Sequence, residues 1–161
     1  MSLILNGTDG ITFPNSTTQV SAGQVLQVVQ SASNGTTSTT STSYVQTNLT
    51  ASITPTSSSN KILILANFSV WGVYAGGDYI VNTIYRNNTT NIIPYTEGFP
   101  SQEWGYTSGF VWSTATVSFL DSPATTSSTT YTMYVKTNSA GTSYAVYGGV
   151  GNYITLMEIA G

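Results

Sequence analysis

The chain has 161 residues, of which only 6% are charged, with a formal net charge of −3 and neither Cys nor His. This length fits one domain that buries its own core. Three cations are too few for a nucleic-acid interface, no apolar run is long enough to span a bilayer, and His- or Cys-based catalysis and thiolate zinc are excluded. An aromatic content of 12% argues against a disordered chain.

The first segment, residues 1–23, is predicted to be an extended lead or anchor that precedes a β domain over 24–161. Asn6-Gly7 and Asp9-Gly10 are turn signals, and the apolar residues before and after them, from Leu3 to Phe13, indicate that the segment packs on something. The start has no basic region followed by a long apolar region, so we expect no signal peptide.

Short β-strands separated by Gly, Pro, Asn and Ser are predicted along the rest of the chain, and no stretch of ten or more residues shows a helical period. The predicted strands are 24–30, 40–47, 49–54, 61–71, 79–86, 110–120, 131–137, 143–147 and 153–160. This series predicts an all-β fold, an antiparallel β-sandwich of the jelly-roll kind.

Three of these strands, 24–30, 61–71 and 153–160, carry apolar side chains on both faces, although a two-layer sandwich buries only one face of each sheet. Each exposed Leu or Ile forgoes roughly 1.5–3 kcal/mol of burial. We therefore predict that a partner subunit covers the second face; the alternative is that lead or loop segments cover it. The predicted interface residues are Leu63, Leu65, Tyr153, Met157 and Ile159.

The longest stretch without a strand pattern, 87–109, is the candidate ligand-binding loop. Flat aromatic rings beside amide and carboxylate groups suit sugars or a host receptor, and the alternative is that these rings close the end of the sandwich. The candidate contact residues are Tyr95, Phe99, Trp104 and Tyr106.

Carboxylates are the remaining catalytic candidates. Glu97 and Glu103 could lie at the spacing that a glycosidase needs, but solvated surface charges are the favoured interpretation. Asp78, Asp121 and Glu158 are too scattered to promise the six or more oxygens of a calcium site. We therefore expect no enzyme activity, no metal and no cofactor.

Several segments resemble structural proteins of tailed bacteriophages, especially those of marine and cyanobacterial phages, over nearly the whole chain. The strand order also resembles the trimeric jelly roll of C1q and tumour-necrosis-factor domains. The segments are MSLILNGTDGI at 1–11, TSYVQT at 42–47, LTASITP at 49–55, SNKILI at 59–64, YRN at 85–87, DSP at 121–123 and ITLMEI at 154–159.

The resemblance implies a homotrimer on the surface of a virion, made in the host cytoplasm. One implied role is the head of a tail fibre that binds a host-surface glycan or receptor; the other is a cement protein that decorates the capsid. The lead segment would join other virion proteins. Glycan cleavage is a remote third alternative, and neither nucleic-acid binding nor membrane insertion is expected.

Overall fold

The computed structural model describes residues 4–6, 10–12, 18–19, 23–74, 79–93, 99–101, 109–138, 143–146 and 151–161. All regular structure in these ranges is β-strand, so no described element is a helix able to cross a membrane. The strands are β1 Ile4–Asn6, β2 Gly10–Thr12, β3 Thr18–Gln19, β4 Val25–Ser33, β5 Thr37–Thr39, β6 Val45–Ile53, β7 Lys61–Tyr74, β8 Ile80–Arg86, β9 Thr90–Asn91, β10 Phe99–Ser101, β11 Gly109–Asp121, β12 Thr129–Thr137, β13 Ser143–Val146 and β14 Asn152–Ile159.

Two antiparallel sheets form a sandwich, which confirms the predicted fold class. The six-stranded sheet has the order β4-β14-β7-β13-β5, with β11 also paired to β7. The five-stranded sheet has the order β10-β8-β12-β6, with β9 also paired to β8. The long strands thus alternate as β4-β14-β7-β11 and β6-β12-β8-β10, the order of a jelly roll.

Strand β7 organises the six-stranded sheet because both of its edges are paired. One edge pairs with β11 from Ile62 to Tyr74, and the other pairs first with β14 and then with β13. Buried Asn152 fills the gap between the last two: its Oδ1 accepts a hydrogen bond of 2.7 Å from the Ser69 amide. A strand with both edges satisfied leaves no backbone group to pair with another chain.

The core lies between the two large sheets and follows from alternation along the strands. On β7 the inward residues Ile62, Ile64 and Phe68 are fully buried. They pack in one cluster against inward residues of the opposite sheet, such as Leu49 and Met133. The outward side chains of the same strands do not contribute to this core, so they are available for contacts with other surfaces.

Some predicted elements differ from the structure. The expected break between 47 and 49 is absent, because Asn48 is exposed and simply continues the alternation of β6. The sequence does not predict strands β5, β9 and β10, because segments of two or three residues are too short to show the alternation of a strand. Each of them pairs with a longer neighbouring strand. The lead segment contains a small antiparallel sheet, β1-β2-β3.

The turn between β8 and β9 shows how local sequence fixes one hairpin. Asn87 and Asn88 both have a positive φ, 52° and 57°, and the Thr89 amide donates to the Arg86 carbonyl. Asn tolerates this left-handed region better than other side chains do. Asn87 also accepts a hydrogen bond from the Thr130 amide through its Oδ1, which ties the turn to β12.

We expect Phe68→Ala to lower the free energy of unfolding by about 3–5 kcal/mol, because it leaves a cavity in the middle of the core. Chemical denaturation followed by fluorescence measures the change. The control Thr126→Ala, in an exposed loop, should stay within about 0.5 kcal/mol of wild type. Equal effects of the two substitutions would contradict the assignment of the core.

Candidate subunit interface

The outer face of the six-stranded sheet presents a row of apolar side chains that crosses four strands. Met157 on β14 is registered with Val28 on β4 and with Leu63 on β7, and Leu63 is registered with Leu120 on β11. Directly opposed residues of antiparallel strands point to the same side of the sheet. Val28 is 56% exposed and Leu120 is 48% exposed, while Met157 and Leu63 between them are half-buried, so the row is partly open to solvent.

More apolar side chains lie on the same outer face, although Thr116 and Asn67 separate the row from those at its far end. Ile159 lies at one end beside Val25, which is 53% exposed, and a β-bulge at this point also leaves Leu26 exposed. At the other end Trp112 is 55% exposed and stands opposite Trp71, with 6.1 Å between the ring centroids. We call this whole surface the apolar face.

The five residues predicted as a subunit interface all lie on the apolar face. Leu63, Leu65, Met157 and Ile159 are half-buried in the single chain, and Tyr153 is 44% exposed. The structure adds Val28, Trp112 and Leu120. Sequence alternation already placed Trp112 and Leu120 on one side of their strand, and this was the signal that could have identified them.

A shallow cavity of about 420 Å³ interrupts the apolar face. Leu65 and Tyr153 form its apolar part, while Gln30 and Thr155 are joined across it by a hydrogen bond of 3.0 Å. Gly151 lies against the Tyr153 ring, where a β-carbon would stand 2.6 Å from Cε2. The face therefore has a depression beside a protruding apolar row.

Charge is almost absent from the apolar face. Lys61, registered with Ile159, is the one charged side chain among the described residues of this surface. The carboxylate of the same strand pair, Glu158, points inward and is fully buried. Identical copies could therefore meet through this face with little like-charge repulsion.

Glu158 is a structural anchor at one end of the sandwich. Its Oε1 accepts hydrogen bonds from the Thr56 amide (2.6 Å), the Thr56 hydroxyl (2.8 Å) and Asn60 Nδ2 (2.6 Å), and its Oε2 accepts one from Gln27 Nε2 (2.6 Å). Burial alone raises the pKa of Glu158, but these hydrogen bonds from Asn60, Gln27 and Thr56 outweigh it and lower the pKa to about 2.

Asp121 anchors a second contact between the sheets. It accepts two hydrogen bonds from Arg86 Nη1, at 3.1 and 2.9 Å, and one of 2.7 Å from the hydroxyl of Tyr131. Burial, followed by the hydrogen bond to Asp121, raises the pKa of Tyr131. The described residues contain no group of three metal-binding side chains, and Glu158 and Asp121 are bound by protein donors.

The opposite outer face, on the five-stranded sheet, has a different chemistry. Tyr85 and Tyr134 lie 4.1 Å apart between ring centroids, and the edge of Tyr44 meets Tyr85 at 6.1 Å. Lys136 Nζ lies 5.0 Å from the centroid of the Tyr44 ring. The same face carries hydroxyl pairs, Thr50 with Thr132 and Ser52 with Thr130.

The predicted ligand-binding loop falls mostly outside the described residues. Tyr95, Trp104 and Tyr106 lie outside them, as do Glu97, Glu103 and Asp78, which were considered for catalysis and calcium binding. The backbone of Phe99 begins β10, where it is registered with Asn82.

No family model and no curated protein matches the sequence. One solved structure that does match is described as "Structure of infectious bursal disease virus Gx strain". The similarity has 16% identity and a TM-score of 0.34, and it covers 83% of this chain and 36% of the matched chain. At that level the similarity transfers no function to this chain.

We expect acid to weaken the fold through Glu158. Its folded pKa of about 2 lies below the ordinary value of 4.5, so its contribution is complete above pH 4.5 and is lost as the pH falls towards 2. The size of the loss is about 3 kcal/mol. Denaturation at a series of pH values measures it.

Glu158→Gln is the control for this effect. It should be less stable than wild type at neutral pH, because a neutral amide cannot accept all four hydrogen bonds, and its stability should fall less between pH 4.5 and 2. Parallel pH profiles for the two proteins would show that Glu158 is not the titrating group.

Proposed function

We propose that this chain is a non-enzymatic structural module that assembles as a homotrimer through the apolar face and is displayed on the surface of a virus particle. The observation that carries the proposal is the continuous apolar row from Val28 to Leu120, whose ends are exposed and whose middle is half-buried in a single chain. Large contiguous apolar patches on soluble proteins mark interaction sites.

A second copy of this chain is the partner that fits the face best. The described surface is nearly uncharged, so contacts between identical residues carry little repulsion. The depression near Tyr153 and Leu65 lies beside the apolar row, which ends at Val28 on β4 and at Leu120 on β11. Such an offset favours contact between different parts of neighbouring copies, which closes into a ring rather than a two-fold dimer.

The virion location rests on composition and on the resemblance to phage structural proteins. The composition is rich in Ser and Thr and low in charge. We place the module at the distal head of a tail fibre, where it contacts the host surface, with the lead segment attached to another virion protein.

The trimer predicts a solution mass three times the 17.0 kDa of one chain. Light scattering over a concentration series measures it. Leu63→Glu, which puts a charge in the middle of the apolar row, should shift the protein to monomers while far-ultraviolet circular dichroism stays β-rich. Ser52→Glu is the matched control on the other sheet and should remain trimeric.

A wild-type chain that stays monomeric at high concentration would overturn the trimer. A trimer that Leu63→Glu leaves intact would show that the subunits meet through a different surface. In either case the apolar face would need another covering segment from the same chain.

The position on the particle is tested by electron microscopy of particles labelled with antibody against this chain. We expect label at the tips of tail fibres. Label spread over the head lattice, in hundreds of copies, would identify a cement protein instead. Particles without label, alongside a positive immunoblot of the infected cell, would remove the virion assignment.

A further inference from the structure

We propose that the outer face of the five-stranded sheet binds saccharides that carry a carboxylate, through Lys136 and the tyrosines beside it. We call this surface the tyrosine face; it consists of Tyr44, Tyr85, Tyr134, Gln46 and Lys136. It lies on the sheet opposite the apolar face and is independent of the proposed trimer contact.

The tyrosine rings form a fixed platform because they stand on paired strands. Tyr134 on β12 packs against Tyr85 on β8 with 4.1 Å between ring centroids, and Tyr44 closes the group with its edge toward Tyr85. The Tyr134 hydroxyl donates to Gln46 Oε1 at 3.2 Å. All three tyrosines are half-buried, so part of each remains at the surface. Tyrosine offers a rigid apolar ring and a polar tip at low entropic cost.

Lys136 supplies the charge that selects an acidic ligand. The other two cations lie elsewhere: Arg86 forms an ion pair with Asp121, and Lys61 lies on the six-stranded sheet. In the part of the chain that the structure describes, no carboxylate lies within ion-pair distance of Lys136. Its Nζ lies 5.0 Å from the Tyr44 ring centroid, a contact that holds the ammonium at the aromatic group.

The surroundings match a saccharide better than a nucleic acid or an apolar peptide. On the described part of this sheet the Gln46 and Asn48 amides and the Ser52 hydroxyl are exposed, and they can exchange hydrogen bonds with sugar hydroxyls. Asp121 and Glu158, the acidic residues in the described ranges, are both buried and bonded, so they present no negative charge there to repel a carboxylate.

The test uses two trisaccharides that differ only in their carboxylates, trigalacturonic acid and galactotriose. Saturation-transfer NMR titrations on the full-length wild-type protein measure both dissociation constants. We expect trigalacturonic acid to bind, and galactotriose to bind at least about tenfold more weakly because it cannot pair with Lys136. Lys136→Gln should weaken binding of the acid to the level of the neutral sugar.

Lys61→Gln is the matched control, since it removes the same charge from the other sheet, and should leave the dissociation constant unchanged. Equal binding of both sugars, an unchanged constant in Lys136→Gln, or no binding of trigalacturonic acid to folded wild type would each overturn the proposal. Preferred binding of an acidic peptide of equal charge would do so as well. Light scattering on the same samples reports the trimer separately, so either proposal can fail alone.

Discussion

The structure depends on one strand, β7, of which only the outer face remains partly open to solvent. Both of its edges are hydrogen-bonded, and its inward side chains Ile62, Ile64 and Phe68 are sealed in the core. Its outward leucines, Leu63 and Leu65, remain only half covered. Because burial of such side chains is the dominant favourable term in folding and association, this residual surface is where further free energy is available.

Three of the five charged side chains in the described ranges fasten the sandwich. Glu158 accepts hydrogen bonds from β4 and from the segment between β6 and β7, and Asp121 accepts hydrogen bonds from Arg86 and Tyr131 of the other sheet. A buried carboxylate is tolerated only where hydrogen bonds replace its hydration. With these carboxylates buried, the described surfaces are nearly neutral, which suits the proposed contact between identical faces.

The two outer faces of the sandwich differ in their chemistry. One is apolar across four strands and suited to subunit contact; the other carries tyrosines, hydroxyl pairs and one lysine. Each sheet has two faces, and its inner face is buried in the core. A module that both assembles and binds a ligand must therefore divide these tasks between its outer faces, and the trimer would present three copies of the tyrosine face.

The sequence by itself determined the fold class and the existence of a second apolar surface, because strand alternation is a local property with a period of two. The pattern Ile62-Leu63-Ile64-Leu65 is apolar on both sides in any register. Pairing decided the rest: only the alignment of β4, β14, β7 and β11 places Val28, Met157, Leu63 and Leu120 in one row. The grouping of Tyr44, Tyr85 and Tyr134, and the enclosure of Glu158 by residues about a hundred positions away, likewise arose from tertiary structure. Contacts across such separations depend on strand order, which no local period encodes.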